Sequence, residues 1–174
     1  MMIKGYACKE PGGKLESWEY DPGALATDEV EVEVEYCGIC HSDLSMMDNE
    51  WGMSSYPFIP GHEAIGKIVA VGSQVAIDRI GQRVGVGWQS ASCNHCKNCD
   101  AGKEELCLNE DEVGQTIVDR HGAWANKVRS QARWAIPIPD GLDSSLAGPL
   151  MCAGFRFGRQ LDIIMFVLEW KRQY

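Results

Sequence analysis

No stretch of this chain is apolar for long enough to cross a membrane. The longest apolar run near the C-terminus, Ile163 to Leu168, falls far short of the roughly 20 residues a spanning helix needs. The N-terminus, MMIKGYACKEPGGK, lacks an apolar core followed by a small-residue cleavage site, so no signal peptide is read there. There is no basic cluster either. With a net charge of −9, neither nucleic acid nor an anionic membrane surface is an expected partner. Internal repeats and low-complexity segments are absent. So is G-x-G-x-x-G: the nearest approach, Gly85-x-Gly87, runs through Trp88, Gln89 and Ser90 toward cysteines, not into a helix. Without it no pyrophosphate cradle at a helix N-terminus is expected.

Cysteine, by contrast, is plentiful. The chain has 174 residues, of which 45% are hydrophobic and 24% charged, the profile of one globular domain with a real core. It contains eight cysteines. Nothing in it reads as secreted, so a reduced, cytoplasmic compartment is the expectation, where cysteines signal metal or chemistry before disulfides.

Four of them, Cys93, Cys96, Cys99 and Cys107, follow the spacing C-x2-C-x2-C-x7-C. Thiolates this close in sequence converge only if the backbone folds back as a lobe, here over residues 90–110. A zinc ion stabilises that geometry with four Zn–S bonds of about 2.3 Å. The competing reading is a pair of disulfides; the compartment argues for the metal.

Elsewhere the chain reads as many short strands punctuated by glycine and proline. Residues 2–8, 64–71 and 82–87 are expected strands, with shorter ones at 122–128 and 134–138, where Pro137 and Pro139 indicate an edge or an exit. From Asp28 to Tyr36 the pattern alternates: Val30, Val32, Val34 and Tyr36 on one face, Glu29, Glu31, Glu33 and Glu35 on the other. That period of two predicts a half-buried strand with a solvated glutamate face. The run CGICHSDLSMMDNEW predicts a turn into a short helix. The fold class is mainly β: a partly open barrel with short helices and a zinc lobe.

A second constellation joins Cys40-His41-Ser42-Asp43 and Gly61-His62-Glu63 to the distant Cys152. Two thiolates, one imidazole and an open fourth position make a catalytic zinc site. From residue types alone, a buried Cys40, a core His62 and an inert Cys152 serve equally well.

The ordered motifs CGICHSDL, PGHEAIGKIVAVG, the four-cysteine lobe and PLMCAG resemble the zinc-dependent medium-chain alcohol dehydrogenases, in particular the cinnamyl-alcohol-dehydrogenase-like aldehyde reductases. The resemblance covers residues 1–154 and implies a GroES-like catalytic domain carrying two Zn²⁺ ions. It implies an oxidoreductase that moves hydride between NAD(P)(H) and a primary alcohol or aldehyde, with a homo-oligomer left open for the full-length form. It further implies Cys40, His62 and Cys152 as catalytic zinc ligands and Cys93, Cys96, Cys99 and Cys107 as structural ones. Glu63 becomes a transient ligand, and Asp43 the carboxylate that orients the ligand imidazole. Ser42 becomes the hydroxyl that exchanges a proton with substrate, His41 a residue near the coenzyme, and Trp51 and Trp88 pocket walls. Some relatives continue the proton relay with a histidine three residues beyond the serine; here Ser45 stands there. Cys8 and Cys37 match no ligand position and read as small buried hydrophobes. Trp124, Trp134 and Met53 read as packing residues, and His95 and His121 are left without a role.

The likeness ends after Gly154, and the Rossmann domain of the relatives is absent from the sequence. Residues 155–174 form a non-family tail, expected to be an out-of-frame reading. Shifted by one base, with permitted synonymous codons, the segment can encode the helix and Pro-Gly turn that follow C-A-G in relatives. Two functions therefore stand: the catalytic-domain fragment of a dehydrogenase, or an inactive zinc-binding fragment lacking its coenzyme domain.

Overall fold

The structure, a computed structural model, describes residues 1–154; the tail expected at 155–174 lies outside them. The elements in chain order are β1 (Ile3–Ala7), β2 (Glu16–Tyr20), β3 (Glu29–Cys37), α1 (His41–Met47), β4 (Ala64–Val71), β5 (Arg83–Val86), β6 (Gln89–Ala91), α2 (Lys97–Asp100), β7 (Gly114–Gln115), β8 (Lys127–Gln131), β9 (Ala135–Pro137) and α3 (Ser144–Ala147). Five of the strands form an antiparallel sheet in the order β8-β3-β4-β5-β9. The pairs β1-β2 and β6-β7 make two small sheets. No helix among the described residues is long and apolar enough to cross a membrane.

The five-stranded sheet exists because its strands present aliphatic residues to a common core. Val30 and Val32 of β3, Ile68 of β4, Val84 and Val86 of β5 and Val128 of β8 are all buried together. A second cluster, Ile65, Ile136, Ile138, Leu142, Ala147 and Met151, seats α3 and the turn after it against the sheet. A third, Cys8, Met46, Phe58 and Ile117, holds α1 down. Cys8 is fully buried and Cys37 partly so, as expected of small hydrophobes.

Strand β3 departs from simple alternation at both ends. Its register against β4 shifts between Val34 and Tyr36, a bulge that turns the strand's end outward. Tyr36, expected inside, is consequently 50% exposed. Glu31, expected on a solvated face, is only 8% exposed. It receives Lys127 Nζ at 2.5 Å and Arg129 Nη2 at 2.8 Å from the neighbouring β8. A buried carboxylate is tolerated there because two cations and their hydrogen bonds replace its water.

Two further expectations shift. The strand expected over residues 122–128 pairs with β3 only from Lys127. The N–H groups of the preceding residues turn elsewhere, Gly122 to Ile59 O, Ala123 to Gly61 O, Trp124 to Pro60 O and Asn126 to Lys4 O, while the Asn126 carbonyl still accepts Val34 N–H of β3 at 3.0 Å. That segment bridges β1 to the Pro-Gly-His loop, so its backbone is satisfied without a ladder. Met53, read as packing, is 41% exposed, whereas Trp134 is buried at 4%. The strand β2 has no counterpart in the expectations; ESWEY is too short and too polar to signal one. Its aromatics pack against His121, Trp18 edge-on with ring centroids 5.0 Å apart and Tyr20 tilted at 4.3 Å.

Candidate metal centres

The first centre is organised by one carboxylate. Helix α1 begins just after Cys40, and Asp43, three residues in, turns back to accept the Cys40 backbone N–H at 3.0 Å. This is the reciprocal capping arrangement that fixes a helix start. The other oxygen of Asp43 accepts the Gly61 N–H at 2.8 Å and His62 Nδ1 at 2.9 Å. Asp43 is fully buried. One side chain thus ties the Cys40 turn to the Pro-Gly-His loop. Because Nδ1–H donates to a carboxylate, the His62 lone pair lies on Nε2.

Gly61 is required by its geometry. Its φ is +103°, a left-handed conformation open to glycine. A Cβ there would stand 2.6 Å from Trp124 Cδ1 and 2.7 Å from the Trp124 backbone nitrogen. Cys152 arrives by another route. It closes the 3-10 turn Gly148–Met151, donating its N–H to Pro149 O at 3.3 Å. Met151, 3% exposed, anchors that turn in the second core cluster. Gly148 packs against the Gly38 nitrogen and the Glu63 carbonyl, and Gly38 N–H donates to that carbonyl at 3.0 Å.

The outcome is a group of four: ligand atoms of Cys40, His62, Glu63 and Cys152 all lie within 4.8 Å of one another. The two sulfurs are 3.9 Å apart. Two sulfurs on one tetrahedral zinc, with Zn–S of about 2.3 Å, stand about 3.8 Å apart. His62 Nε2 is buried and has no hydrogen-bond partner. A buried orphaned lone pair beside two thiols fits a metal.

Protonation follows the same geometry. Burial would lower the His62 pKa, but the Asp43 hydrogen bond, its charge and that of Cys40 outweigh it and hold it above the ordinary value. Burial pushes Cys40 up, yet hydrogen bonds from Ser42, the His62 charge and a bond from Cys152 bring it below the usual thiol range. Glu63, 4% exposed, is raised, chiefly by burial. A thiol drawn toward thiolate is what a metal ligand requires.

Around this cluster stand the other expected residues. Ser42 is half-buried, its Oγ 3.6 Å from Cys40 Sγ. His41 is exposed at the first position of α1. Trp88 lies edge-on to His62 with ring centroids 5.2 Å apart, and Trp51 lies 6.0 Å from Trp88 at 68°. Ser45 is buried at 3%, so it lines no open path.

The second centre is the lobe between β6 and β7. Sulfurs of Cys93, Cys96, Cys99 and Cys107 lie within 4.8 Å of one another. Cys93 and Cys99 stand 3.8 Å apart, and Cys96 and Cys99 3.5 Å. The single turn α2 starts after Cys96, and the i,i+3 spacing puts Cys96 and Cys99 on one side of it. None of the eight cysteines, all among the described residues, is joined in a disulfide. Backbone N–H groups of Leu108 and Cys99 draw Cys96 down to about 6, and the Cys93 and Asn109 backbone lowers Cys107. Burial pushes Cys99 up to about 12. His95 stays outside the set. Its Nδ1 meets the Cys93 carbonyl at 2.7 Å and its Nε2 the Asn109 amide at 3.2 Å.

The four-cysteine cluster was legible from residue type and spacing, whereas the Cys40, His62 and Cys152 set was implied only by the resemblance of the ordered motifs. What was not legible is the support: Gly38, Gly148 and Met151 for Cys152, and Thr116 behind Trp88. Their only signal is close approach, which no spacing rule encodes.

A mainly β, partly open barrel with short helices and a cysteine lobe is a GroES-like domain, and no Rossmann domain lies among the described residues. More particularly, the chain belongs to the alcohol dehydrogenase GroES-like domain family, which it matches over residues 26–140. It is 48% identical over 153 residues to the aldehyde reductase AdhA of Synechocystis sp., covering 88% of this chain and 45% of that protein. Its fold is similar to CAD from Helicobacter pylori complexed with NADP(H), with a TM-score of 0.79, 31% identity, and coverage of 88% of this chain and 46% of that one. The cinnamyl alcohol dehydrogenase SbCAD4 from Sorghum bicolor gives a TM-score of 0.78 at 31% identity, over 88% of this chain and 45% of that one. The chain spans about half the length of the curated relatives it matches.

Proposed function

We propose that residues 1–154 are the zinc-binding catalytic domain of an NAD(P)-dependent alcohol dehydrogenase or aldehyde reductase acting on a primary alcohol or aldehyde in the cytoplasm. The observation that carries this is the buried, partnerless Nε2 of His62 beside two thiols 3.9 Å apart. Cys40, His62 and Cys152 would hold one zinc ion, with Glu63 as an occasional fourth ligand; Cys93, Cys96, Cys99 and Cys107 would hold another. Zinc bound at the first centre supplies Lewis acidity toward a substrate oxygen.

The remaining work falls to the protein's own groups. Asp43 holds the His62 ring with Nδ1–H engaged, so that Nε2 faces the thiolates. Ser42 Oγ, half-buried beside Cys40, relays a proton between the substrate hydroxyl and water, releasing its own hydroxyl proton as it takes the substrate's, and the reverse on reduction. Trp88, half-buried, and Trp51, exposed, form the apolar wall against which the substrate body lies. His41, exposed at the start of α1, faces the coenzyme. At the second centre the four thiolates close the lobe and order a segment that has little core of its own.

The second reading is an inactive zinc-binding fragment. Aldehyde-dependent oxidation of NADPH or NADH by the purified chain, abolished in Cys40→Ala, supports the enzyme. Two bound zinc ions with no such oxidation support the fragment.

A further inference from the structure

The two centres are joined by a short physical path. The four-cysteine lobe leaves the domain at β6 and returns at β7, where Gln89 pairs with Gln115 and Ala91 with Gly114. The residue just before β6 is Trp88, and the residue just after β7 is Thr116. Thr116 is 1% exposed and donates twice across this neck: its N–H to Trp88 O at 2.7 Å and its Oγ1 to Gly87 O at 2.6 Å. Beyond the neck, the Trp88 ring lies against His62. Ile117, next to Thr116, is buried in the same cluster that Trp88 packs on.

From this we infer that Thr116 is a positioning residue: it clasps Gly87 and Trp88, and so makes closure of the four-cysteine lobe fix the Trp88 ring against His62. A two-stranded pair this short, with an irregular register between Gln89 and Ala91, does not hold itself together. The lobe the strands enclose holds its outer end, together with the Ser92 N–H bond to Gln131 Oε1 at 2.9 Å, and Thr116 holds its inner end. An open lobe would release the neck, and Trp88 would lose its backbone hold while its ring kept only apolar contacts. The path therefore couples the two centres, and coupling between binding sites is reciprocal: filling either favours filling the other. The inference rests on the reading of Cys40, His62 and Cys152 as metal ligands only where affinity is concerned; the placement of Trp88 can be read without it.

The test uses the whole chain, zinc-loaded and labelled with 5-fluorotryptophan. It carries six tryptophans, and the Trp88 signal is the one lost in Trp88→Phe. Thr116→Val removes the hydroxyl donor at nearly constant shape, and Thr116→Ser restores it. In Thr116→Val the fluorine signal of Trp88 should shift or broaden while the others hold. Cobalt(II) affinity at the Cys40–His62–Cys152 centre, followed by its ligand-field bands, should fall about tenfold. Affinity at the four-thiolate centre, measured with the Cys40–His62–Cys152 centre empty so that coupling does not contribute, should stay within twofold, and Thr116→Ser should match the wild type in both. An unmoved Trp88 signal in Thr116→Val overturns the inference. So does a shift of all the signals with equal loss at both centres, which is general destabilisation. If the wild type binds one metal ion only, lost in Cys99→Ala, the reading of the first centre fails, and the Trp88 signal alone still decides the role of Thr116.

Discussion

Replacing Asp43 by asparagine keeps the outline of the side chain but removes an acceptor where three donors converge. One oxygen serves Gly61 N–H at 2.8 Å and His62 Nδ1 at 2.9 Å, and the other serves Cys40 N–H at 3.0 Å. An asparagine has a single acceptor oxygen. If it faces Gly61 and His62, its NH2 meets the Cys40 N–H, and two donors face each other. The reverse rotamer strands Gly61 and lets Nδ1 act as acceptor, which moves the His62 proton to Nε2, the nitrogen beside the thiols. A buried donor left unpaired costs about 1–3 kcal/mol. For a chain of this size that is a fall in Tm of about 5 °C. Loss of the carboxylate behind a ligand imidazole lowers metal affinity about 10–100-fold. The assay is thermal unfolding, with and without chelator, together with zinc release to a chromogenic chelator. Zinc at the four-thiolate centre serves as the internal control. An Asp43→Asn protein that melts within about 1 °C of the wild type and holds both zinc ions as tightly would refute the reasoning.

Three further outcomes are expected. Gly61→Ala should abolish soluble folded protein or cost more than about 2 kcal/mol, because a Cβ meets Trp124 within 2.7 Å at a φ of +103°; near-wild-type urea unfolding would contradict this. Burial alone would raise the Glu31 pKa, but hydrogen bonds and charges from Lys127 and Arg129 lower it. Its stabilisation is therefore present above the unfolded carboxylate value and lost as pH falls through the folded one. Glu31→Gln should thus cost about 1–3 kcal/mol at pH 7 and progressively less below pH 4, and a gap constant with pH counts against the ion pair. Cys99→Ala should release more zinc than Cys152→Ala, since Cys99 lies at the centre of a closed local set, within 3.8 Å of Cys93 and 3.5 Å of Cys96; equal losses to a mild chelator would go against this.

Much of the domain could be read from residues alone, and the misreadings share a cause. The strand over 64–71 coincides with β4, because Ile65 and Ile68 enter different core clusters and bury its first half apart from Lys67, while Val69 to Val71 stay partly buried. The four cysteines were legible because a lobe is a local object whose spacing carries its geometry. The Cys40, His62 and Cys152 set was ambiguous by residue type. Its convergence depends on Asp43 joining two loops and on Met151 seating a third, and such long-range contacts leave no periodic trace. Strand alternation failed at Tyr36 because a bulge changes the facing of every residue after it. It failed at Glu31 because burial there is decided by cations on β8, about a hundred residues away in sequence.

The central claim is that this domain holds two zinc ions in two chemically different sets of ligands. Metal analysis of the purified chain, repeated on Cys99→Ala and His62→Gln, tests it most directly. Two zinc ions per wild-type chain are expected, with one missing in each variant and X-ray absorption at the zinc edge showing only sulfur ligands in His62→Gln. A wild-type chain with no zinc and its lobe cysteines paired as disulfides, or one whose zinc content is unchanged in His62→Gln, would contradict the account.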